Sequence, residues 1–569
     1  MIEKMTKYSF VLLSADKEEF LSRLQELGLV DITRSEKPVD DNTAAMLAAI
    51  EAQRKLISEI EAGSDSTLAG MKENLKDLQK RADDVRVWGD WDRKALAETG
   101  LALHFYSVPA KKFESGWEHD YAVQTVEDDG KTCWFVIAGD NAGFPLKELP
   151  EPSQGIGLLE GEIKKQEDAI AAYAASLEAR KAEIPSLQKD LAEKQAGLSR
   201  ALASAAGENA AENLLSVFEG FAPVGSDAAL EKDFDAMDLV WFKDAAVTED
   251  NPPIEFRNNK FVKMFEVLTD MYGRPAYNGF DPTPYIAVFF MLFFAFCMGD
   301  AGYGLILVAM GLGMKKMLGS LSPLVTTLGI ATTVIGFLFH TFFSMDIAQW
   351  QIFQPVKGIF LPSKIAGYDG TMVLSLIVGI IHLCLAMIIK TYMATKQKGF
   401  LNSLGTWGWT LLIVGGVTVG TFALLGILDK GLTKLIIIIL GVVSALGIFI
   451  LNDIHRNPLA NIGSGLWETY NTVTGLLGDV LSYLRLYALG LAGSMLGKAF
   501  NDIGLTVLGD GSSIPLWIPF ILIVLVGHTL NIAMAALGAF VHPLRLNFLE
   551  FFKNSGYEAD GRKYKPLKK

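Results

Sequence analysis

The sequence predicts an α-helical membrane protein with about eight transmembrane helices, two of them long and steeply tilted, preceded by a cytoplasmic dumbbell. Residues 1–280 are rich in charge, whereas residues 283–552 form apolar runs that are each long enough, or nearly so, to span a bilayer. A seven-residue hydrophobic repeat in the first half predicts paired helices. Arg485 lies near the middle of an apolar run, where a cation costs about 2.5–3.5 kcal/mol on insertion scales, which favours a role along an ion pathway.

Composition argues against several classes of function. The net charge of −13 disfavours a nucleic-acid partner. The three cysteines, Cys133, Cys297 and Cys384, lie far apart and indicate neither a disulfide framework nor a metal site. The sequence contains no nucleotide-binding motif, so we expect no cofactor and no ATP site on this chain. Because residues 1–7 do not resemble a signal peptide, we expect residues 1–280 to remain in the cytoplasm.

Two small α/β lobes are expected in the cytoplasmic half: a proximal lobe from residues 1–38 and 208–280, and a distal lobe from about residue 95 to 155. In the proximal lobe, the predicted strands are Tyr8–Leu13, Leu29–Thr33, Leu214–Phe221 and Asp238–Phe242, with helices at 17–28 and near 226–236. The predicted strands of the distal lobe are Leu101–Val108 and Thr132–Ala138.

Two long helices, about 40–93 and 156–206, are expected to join the lobes as an antiparallel coiled coil. The second helix carries the clearer heptad repeat, with apolar residues at Ile163, Ile170, Leu177, Ile184, Leu191 and Leu198. Gly63, Ser64 and Asp65 should interrupt the first helix, and Pro185 should kink the second. An intermolecular coiled coil is the alternative.

The transmembrane domain is predicted to occupy residues 281–569. Its eight expected spans are 284–299, 301–319, 323–344, 371–394, 404–428, 432–452, 464–503 and 515–548. An even number of spans puts both ends of the chain on one side. The positive-inside rule makes that side cytoplasmic, because basic residues such as Lys315, Lys390, Lys396 and Lys565 then fall on the inner face.

The last two spans are longer than a bilayer requires. As one helix, residues 464–503 would measure about 60 Å, against a hydrocarbon core of about 30 Å. We therefore expect steep tilt against a curved partner, with the two helices side by side. Gly490, Gly493 and Ser494 would allow another helix to approach closely, although ordinary packing within the bundle is an equal alternative.

Polar side chains concentrate on these two spans. At 100° per residue, Asn471 and Ser482 fall near the face of Arg485, whereas Asp479 falls about 120° away and is expected in a separate aqueous cavity. The alternative for Arg485 is a structural arginine that pairs with a neighbouring helix or extends to the interface. The full set of candidate ion-translocation residues is Arg485, Arg545, Asp479, Glu468, Ser482, Asn471, His528, Asn531, His542 and Glu550.

The segment Gly478–Ala492, which reads GDVLSYLRLYALGLA, closely resembles the signature of the membrane stator subunit of rotary V-type and A-type ATPases, subunit a or subunit I. Three further segments are similar to the same family: Asn278–Pro284 with Gly299–Gly304, Gly527–Asn531, and Val541–Leu546 with Glu550. The resemblance implies that Arg485 is the essential residue facing the rotor ring and that Arg545 assists it. Two positions that carry a glutamate and a histidine in some eukaryotic members are Ala535 and Gly493 here, so those roles are not carried over.

The resemblance also implies partners and a mechanism. The partners are a rotor ring of small membrane subunits, peripheral-stalk subunits bound to the dumbbell, and central-stalk subunits as a further candidate. Arginine cannot relay a proton, but its fixed charge can release H⁺ or Na⁺ from a rotor carboxylate. We assign Asp479 and Glu468 to one half-channel and His542 and Glu550 to the inner one. The alternatives are a secondary transporter with its own substrate site and a structural anchor without ion contact.

Overall fold

The computed structural model describes residues 1–568 except 36, 91–99, 115, 152–153, 212–213, 353–354, 356–357, 359, 363, 366, 452–457 and 510–513. The fold is mostly helical, with a small N-terminal α/β region. The chain divides into two compact units. One contains Met1–Leu12, Leu29–Ile32 and Val217–Pro566, and the other contains Leu13–Gly28, Thr33–Ser216 and Leu567–Lys569.

The second of these units consists of helices and one small sheet. Its helices are α1 (Lys17–Leu27), α2 (Asp41–Ala62), α3 (Ser66–Arg86), α4 (Ile156–Arg180) and α5 (Ile184–Ala206). Helix α2 packs along α5, and α3 packs along α4. Between α3 and α4 lies an antiparallel sheet of Leu103–Pro109, Val123–Asp128 and Thr132–Ala138, with the last strand in the centre.

The breaks within the long helical segments follow local sequence signals. Gly63 ends α2 with a positive φ of 61°, and the Asp65 side chain accepts a hydrogen bond from the Leu68 amide at 2.8 Å to cap α3. Pro185 lies in the first turn of α5, directly after a 3₁₀ turn at Lys181–Glu183, where its missing N–H is tolerated. The last residues of the first predicted helix, 91–93, lie outside the described residues.

Four strands of a five-stranded sheet form the α/β region of the first unit. In sheet order these four are Asp31–Ile32, Leu215–Pro223, Met5–Leu13 and Val240–Ala245. Tyr8 and Phe10 are buried and pack against Phe234 of a short helix, α6 (Asp227–Asp235). The Tyr8 hydroxyl donates to Asp227 at 2.9 Å, and burial raises the pKa of this phenol. The sequence predicted each of these strands within a few residues.

Residues 561–565, which follow the last apolar helix, return to this sheet. Gly561 forms a β-bridge with Arg274, and Lys563 forms one with Ile254. The Lys565 amide donates to the buried carboxylate of Asp31 at 3.0 Å. The chain downstream of the apolar helices is thus hydrogen-bonded to the strand region near its start.

Six segments of the described chain are long and apolar enough to cross a membrane, by length and composition. They are Gly319–Leu338, Gly370–Lys398, Leu401–Leu424, Lys430–Phe449, Asn461–Leu508 and Ile514–Ser555. The first two predicted spans form shorter helices, α7 (Thr283–Met298) and α8 (Ala301–Gly313). The other apolar helices are α9 (Ser322–Leu338), α10 (Gly370–Lys398), α11 (Leu404–Leu424), α12 (Lys430–Phe449), α13 (Pro458–Ser482), α14 (Leu484–Leu508) and α15 (Trp517–Arg545).

The two long spans differ from expectation in one respect. Within the span Asn461–Leu508, the α-helical hydrogen bonding is interrupted at one residue, Tyr483, which keeps a right-handed helical conformation (φ −73°, ψ −16°) between α13 and α14. Helix α15 continues through a π-helical turn at Leu546–Phe551 and a last helical turn to Ser555. Helices α14 and α15 pack side by side, as predicted.

Candidate functional site

Arg485 occupies the first turn of α14 and is half-buried. Its Nη1 atom is fully buried, and it has no hydrogen-bond partner among the described residues. The guanidinium lies close enough to Cys297 and His542 for its charge to act on both side chains. Within the described chain, therefore, nothing in hydrogen-bond or ion-pair contact neutralises this cation.

Helices α14 and α15 meet along a line of small residues. A Cβ at Gly504 would lie 3.0 Å from Val524, one at Gly493 would lie 4.0 Å from Asn531, and one at Gly538 would lie 3.8 Å from Leu489. These contacts run in opposite directions along the two helices, so the pair is antiparallel. Gly490 packs elsewhere: its Cβ would lie 2.9 Å from the Phe296 carbonyl oxygen of α7. The glycines among the small residues at 490–494 thus serve packing within the chain.

One side of the α14–α15 pair is uncovered. A helix turns 100° per residue, so a residue that directly precedes one at the α14–α15 contact lies on a neighbouring face of its helix. On both helices this face points away from α7. Ala488 and Ala492 on α14 are exposed, and Met534, Leu537 and Val541 on α15 have exposed fractions of 67%, 67% and 48%. We call these five residues the open face. Arg545, four residues after Val541, is also exposed and lies at the end of this stripe.

Asp479 lies in a polar cavity of about 230 Å³. Its carboxylate accepts from the Asn554 amide at 2.8 Å and lies 3.5 Å from the Lys553 ammonium. Glu468 and Asn471 also line this space, which we call the Asp479 cavity, as does Lys390 near the end of α10. Arg485 is not among the residues that line this cavity, whereas Asn471, which the sequence analysis placed near the face of Arg485, lines it with Asp479.

Asp479 and Glu550, which the sequence analysis assigned to different half-channels, lie close together. Asn554 donates both to the Asp479 carboxylate and to the Glu550 carbonyl, at 2.6 Å, so these residues lie at the same end of the helices. Glu550 is 4% exposed, and its Oε2 atom has no partner among the described residues. His542 is half-buried beside Arg485 and Arg545. Ser482 is half-buried at the end of α13.

A second cavity, of about 190 Å³, lies at the other end of α10. Thr371 and Ser375 line it near the start of that helix, and α14 contributes Tyr487, Gly490 and Ser494. We call it the Tyr487 cavity. Its remaining polar lining comes from His340, Thr341 and Asp369, which sequence reasoning missed. These three residues lie in or beside connections between apolar helices, where no periodic pattern identifies them.

His528 and Asn531 belong to a closed hydrogen-bond network. The Asn531 amide donates to the Tyr303 hydroxyl at 2.8 Å and to the Gly493 carbonyl at 2.8 Å. His528 contacts the Tyr303 hydroxyl through Nδ1 at 2.7 Å and the Asn501 side chain through Nε2 at 2.9 Å. Because Asn501 donates its amide to the Phe343 carbonyl, its oxygen accepts from His528 Nε2–H, and Tyr303 then donates to Nδ1. This neutral network joins α8, α14 and α15.

The chain matches the model of the V-type ATPase 116kDa subunit family over residues 228–323 and 466–569. These segments include α7, α8 and the whole α14–α15 pair. These matches support a relationship to the V/A-type ATPase subunit a/I family. Members with curated names that resemble it include A-type ATP synthase subunit I of Methanocaldococcus jannaschii and of Pyrococcus abyssi, each 32% identical. V-type ATP synthase subunit I of Borreliella burgdorferi is 23% identical.

The extent of these similarities differs. The alignments cover 60% of this chain and 52% of the Methanocaldococcus protein, and 56% of this chain and 48% of the Pyrococcus protein. The chain therefore spans about half the length of these archaeal relatives. The Borreliella alignment covers 100% of both chains. All three relatives are named as ATP synthase subunits, and these names give no support to a secondary transporter.

Proposed function

We propose that this chain is the membrane stator subunit of a rotary V/A-type ATPase, which couples H⁺ or Na⁺ translocation to the rotation of a ring of small membrane subunits. The observation that carries the proposal is the position of Arg485. It is a cation within a long apolar segment, it has no ion-pair partner in the described chain, and it lies between the buried contact with α15 and the open face. A partner that brings a carboxylate to the open face would supply the missing counter-charge.

The open face has the properties that such a ring requires. It is apolar, so it can contact rotor helices within the membrane, and its small residues Ala488 and Ala492 allow a helix to approach α14 closely. Arg545 adds a second positive charge on the same stripe. A rotor carboxylate is neutral in lipid because it carries an ion, since an uncompensated buried charge is prohibitive. Beside Arg485 its ionised form is favoured, and the ion leaves.

The two cavities supply the remaining parts of an ion path. The Asp479 cavity lies near the end of α10 and the Tyr487 cavity near its start, so they approach Arg485 from opposite ends of the helices. In the predicted topology the Asp479 cavity faces the cytoplasm. We assign Glu468, Asn471, Asp479 and Glu550 to the cytoplasmic half-channel, and Tyr487, Ser494, His340 and Asp369 to the opposite one. The charge of Arg485 keeps cations from passing directly between them.

The finer architecture belongs to the same proposal. Helices α7 and α8 complete a set of eight membrane helices with α14 and α15 tilted, both ends of the chain are cytoplasmic, and residues 281–569 carry ions. Residues 1–280 form the dumbbell, in which α2 with α5 and α3 with α4 are the two halves of the antiparallel coiled coil. This part binds the peripheral-stalk subunits, with central-stalk subunits as a further candidate. ATP is synthesised or hydrolysed on other chains.

The test is Arg485→Gln in the complete complex, reconstituted in vesicles that contain its rotor ring. We expect the ring to co-purify as usual and ATP-driven ion uptake to fall to background, because no cation remains to release the ion. Arg485→Lys should restore little uptake, since lysine lacks the planar guanidinium and loses its proton more readily when buried. Lys434→Gln, which removes an exposed cation in the second turn of α12, is the matched control. Normal uptake by Arg485→Gln would refute the proposal.

A further inference from the structure

The break between α13 and α14 has no local cause in the sequence. Sharp breaks in helices occur at proline, at glycine–serine pairs, at π-bulges or where a side chain or water intrudes. Val480–Leu486 contains neither proline nor glycine. The backbone nevertheless tightens there, because the Tyr483 amide donates to the Val480 carbonyl and the Leu486 amide to the Tyr483 carbonyl, each at 3.1 Å. The cause must therefore lie in tertiary contacts.

The side chain of Tyr483 is held by α10. It is fully buried, and a Cβ at Gly379 would lie only 2.3 Å from the Cγ atom of its ring. Its hydroxyl lies 3.0 Å from Nδ1 of His382, which is one turn further along the same face of α10. His382 is itself fully buried and stacks between Phe289, at 4.1 Å, and Phe551, at 4.5 Å. We call Gly379 and His382 the tyrosine socket.

We propose that the tyrosine socket sets the rotation of α14 and thereby aims Arg485 at the open face. Arg485 follows Tyr483 by two residues, and each residue turns a helix by 100°. A slip of α14 by one residue relative to the socket would therefore turn the guanidinium by about 100°, from the open side toward the neighbouring helices. Gly379, His382 and Tyr483 are positioning residues. The effect of the socket on ion translocation rests on the proposed role of Arg485. Its effect on the rotation of α14 does not.

The geometric test measures the register of α14 against α15 in the assembled complex. The reporter is a disulfide between Leu489→Cys and Gly538→Cys, whose positions are in contact. The reference is Gly504→Cys with Val524→Cys, further along the same pair. Gly379→Ala forces the Tyr483 ring to move. We expect it to abolish most of the 489–538 disulfide and to spare the 504–524 disulfide. Gly416→Ala on α11, where a Cβ meets open space, is the control and should change neither.

Rescue separates positioning from general damage. Gly379→Ala combined with Tyr483→Ala removes the ring, whose Cγ atom comes closest to the new Cβ, so α14 is no longer displaced and the 489–538 disulfide should return. If Gly379→Ala alone fails to assemble, assembly of this double variant supports the socket, and failure of the double variant overturns it. An unchanged 489–538 yield in Gly379→Ala also overturns it.

Ion uptake per ATP in the same variants tests the functional consequence. We expect it to fall and recover with the disulfide. A lost and rescued disulfide with unchanged uptake would uphold the socket and refute the proposed role of Arg485.

Discussion

The α11–α12 pair and the α14–α15 pair both pack closely at glycines, but their surfaces differ in charge. Both are antiparallel helix pairs brought together by glycines: a Cβ at Gly447 would lie 3.1 Å from the Gly408 backbone, and one at Gly527 would lie 2.3 Å from the Phe500 ring. Both expose large apolar side chains. Yet α11 and α12 carry charge only in the first two turns of α12, at Lys430 and Lys434, whereas α14 places Arg485 beside its partner helix.

This difference separates a surface suited to lipid from one suited to a moving partner. Ile437, Ile438 and Ile439 of α12 are about half exposed, at 50%, 53% and 53%, so exposed apolar area alone does not distinguish the two pairs. An unneutralised cation next to such a surface does, because lipid tails cannot compensate it. The placement of charge, rather than apolarity, therefore identifies the interface.

The largest contrast is expected in crosslinking. A cysteine at Met534, on the open face, should form a disulfide with a cysteine on the outer helix of the rotor subunit. A cysteine at Ile439 should form none, because its surface faces lipid. Cys384, which is half-buried, is replaced by serine in both chains. Crosslinking at Ile439 with none at Met534 would contradict this assignment, because it would place the rotor ring against α11–α12 and lipid against α14–α15. Leu489 and Ser494 are poorer sites because they face Gly538 and the Tyr487 cavity.

A smaller effect is expected from the second arginine. Arg545→Gln should lower ATP-driven ion uptake by about tenfold, equivalent to about 1.4 kcal/mol, because Arg545 is exposed at the edge of the open face and only supports Arg485. The measurement is initial uptake in reconstituted vesicles, with Lys434→Gln as control. A loss as complete as that of Arg485→Gln would show that the two arginines act as one unit.

The shared packing device can be tested within α12. Gly447→Ala should destabilise the chain by about 1–3 kcal/mol, because its Cβ meets backbone atoms of α11 at 3.1 and 3.2 Å. Gly441→Ala on the same helix meets open space and should be neutral or slightly stabilising, since alanine favours a helix over glycine. Thermal unfolding of the purified chain in detergent compares them. Equal midpoints would mean that α11 and α12 are held by other contacts.

The smallest effect concerns a cation that does have a partner. Lys7 lies 2.9 Å from Asp250. This hydrogen bond raises the pKa of Lys7 and lowers the pKa of Asp250. The lowered pKa of Asp250 stabilises the fold at every pH above the ordinary pKa of an aspartate. This stabilisation is lost as the pH falls through the lower pKa that Asp250 has in the folded chain. Stability from Lys7 is lost only as pH rises through its raised pKa.

Asp250→Asn should therefore cost about 0.2–1 kcal/mol near neutral pH. Hydrogen exchange of the Val240–Ala245 strand, corrected for intrinsic rates, measures this loss. The mutant should match the native chain in acid, below the folded pKa of Asp250. A difference that persists there would assign the effect to packing rather than to charge.

Local signals explain most of what the sequence predicted. The strand Thr132–Ala138 has the predicted bounds, and the break at Gly63–Asp65 follows from a left-handed glycine and an aspartate cap. The strand Val123–Asp128 was missed because its exposed polar residues, including Glu127 and Asp128, conceal the alternation.

What the sequence could not give about the candidate site comes from long-range contacts. Tyr483 packs on Gly379 and His382, about a hundred residues earlier, and a helical projection of α13 and α14 does not contain this contact. From the sequence, Gly490 and Gly493 could equally pack against another chain or against this one. The structure shows that they pack within the chain, against the Phe296 carbonyl oxygen and Asn531 Oδ1 respectively. Arg485 could be proposed as a functional residue from the sequence alone because charge within an apolar run is visible without any fold.

The hydrogen bonds between residues 561–565 and the N-terminal sheet impose an order on biosynthesis. Asp31 is translated early, yet the Lys565 amide that contacts its buried carboxylate appears only after every apolar helix has left the ribosome. The same holds for the bridge between Ile254 and Lys563. The sheet region therefore reaches its final hydrogen bonding only after the apolar helices have been synthesised, and a chain stalled at any of these helices lacks these hydrogen bonds.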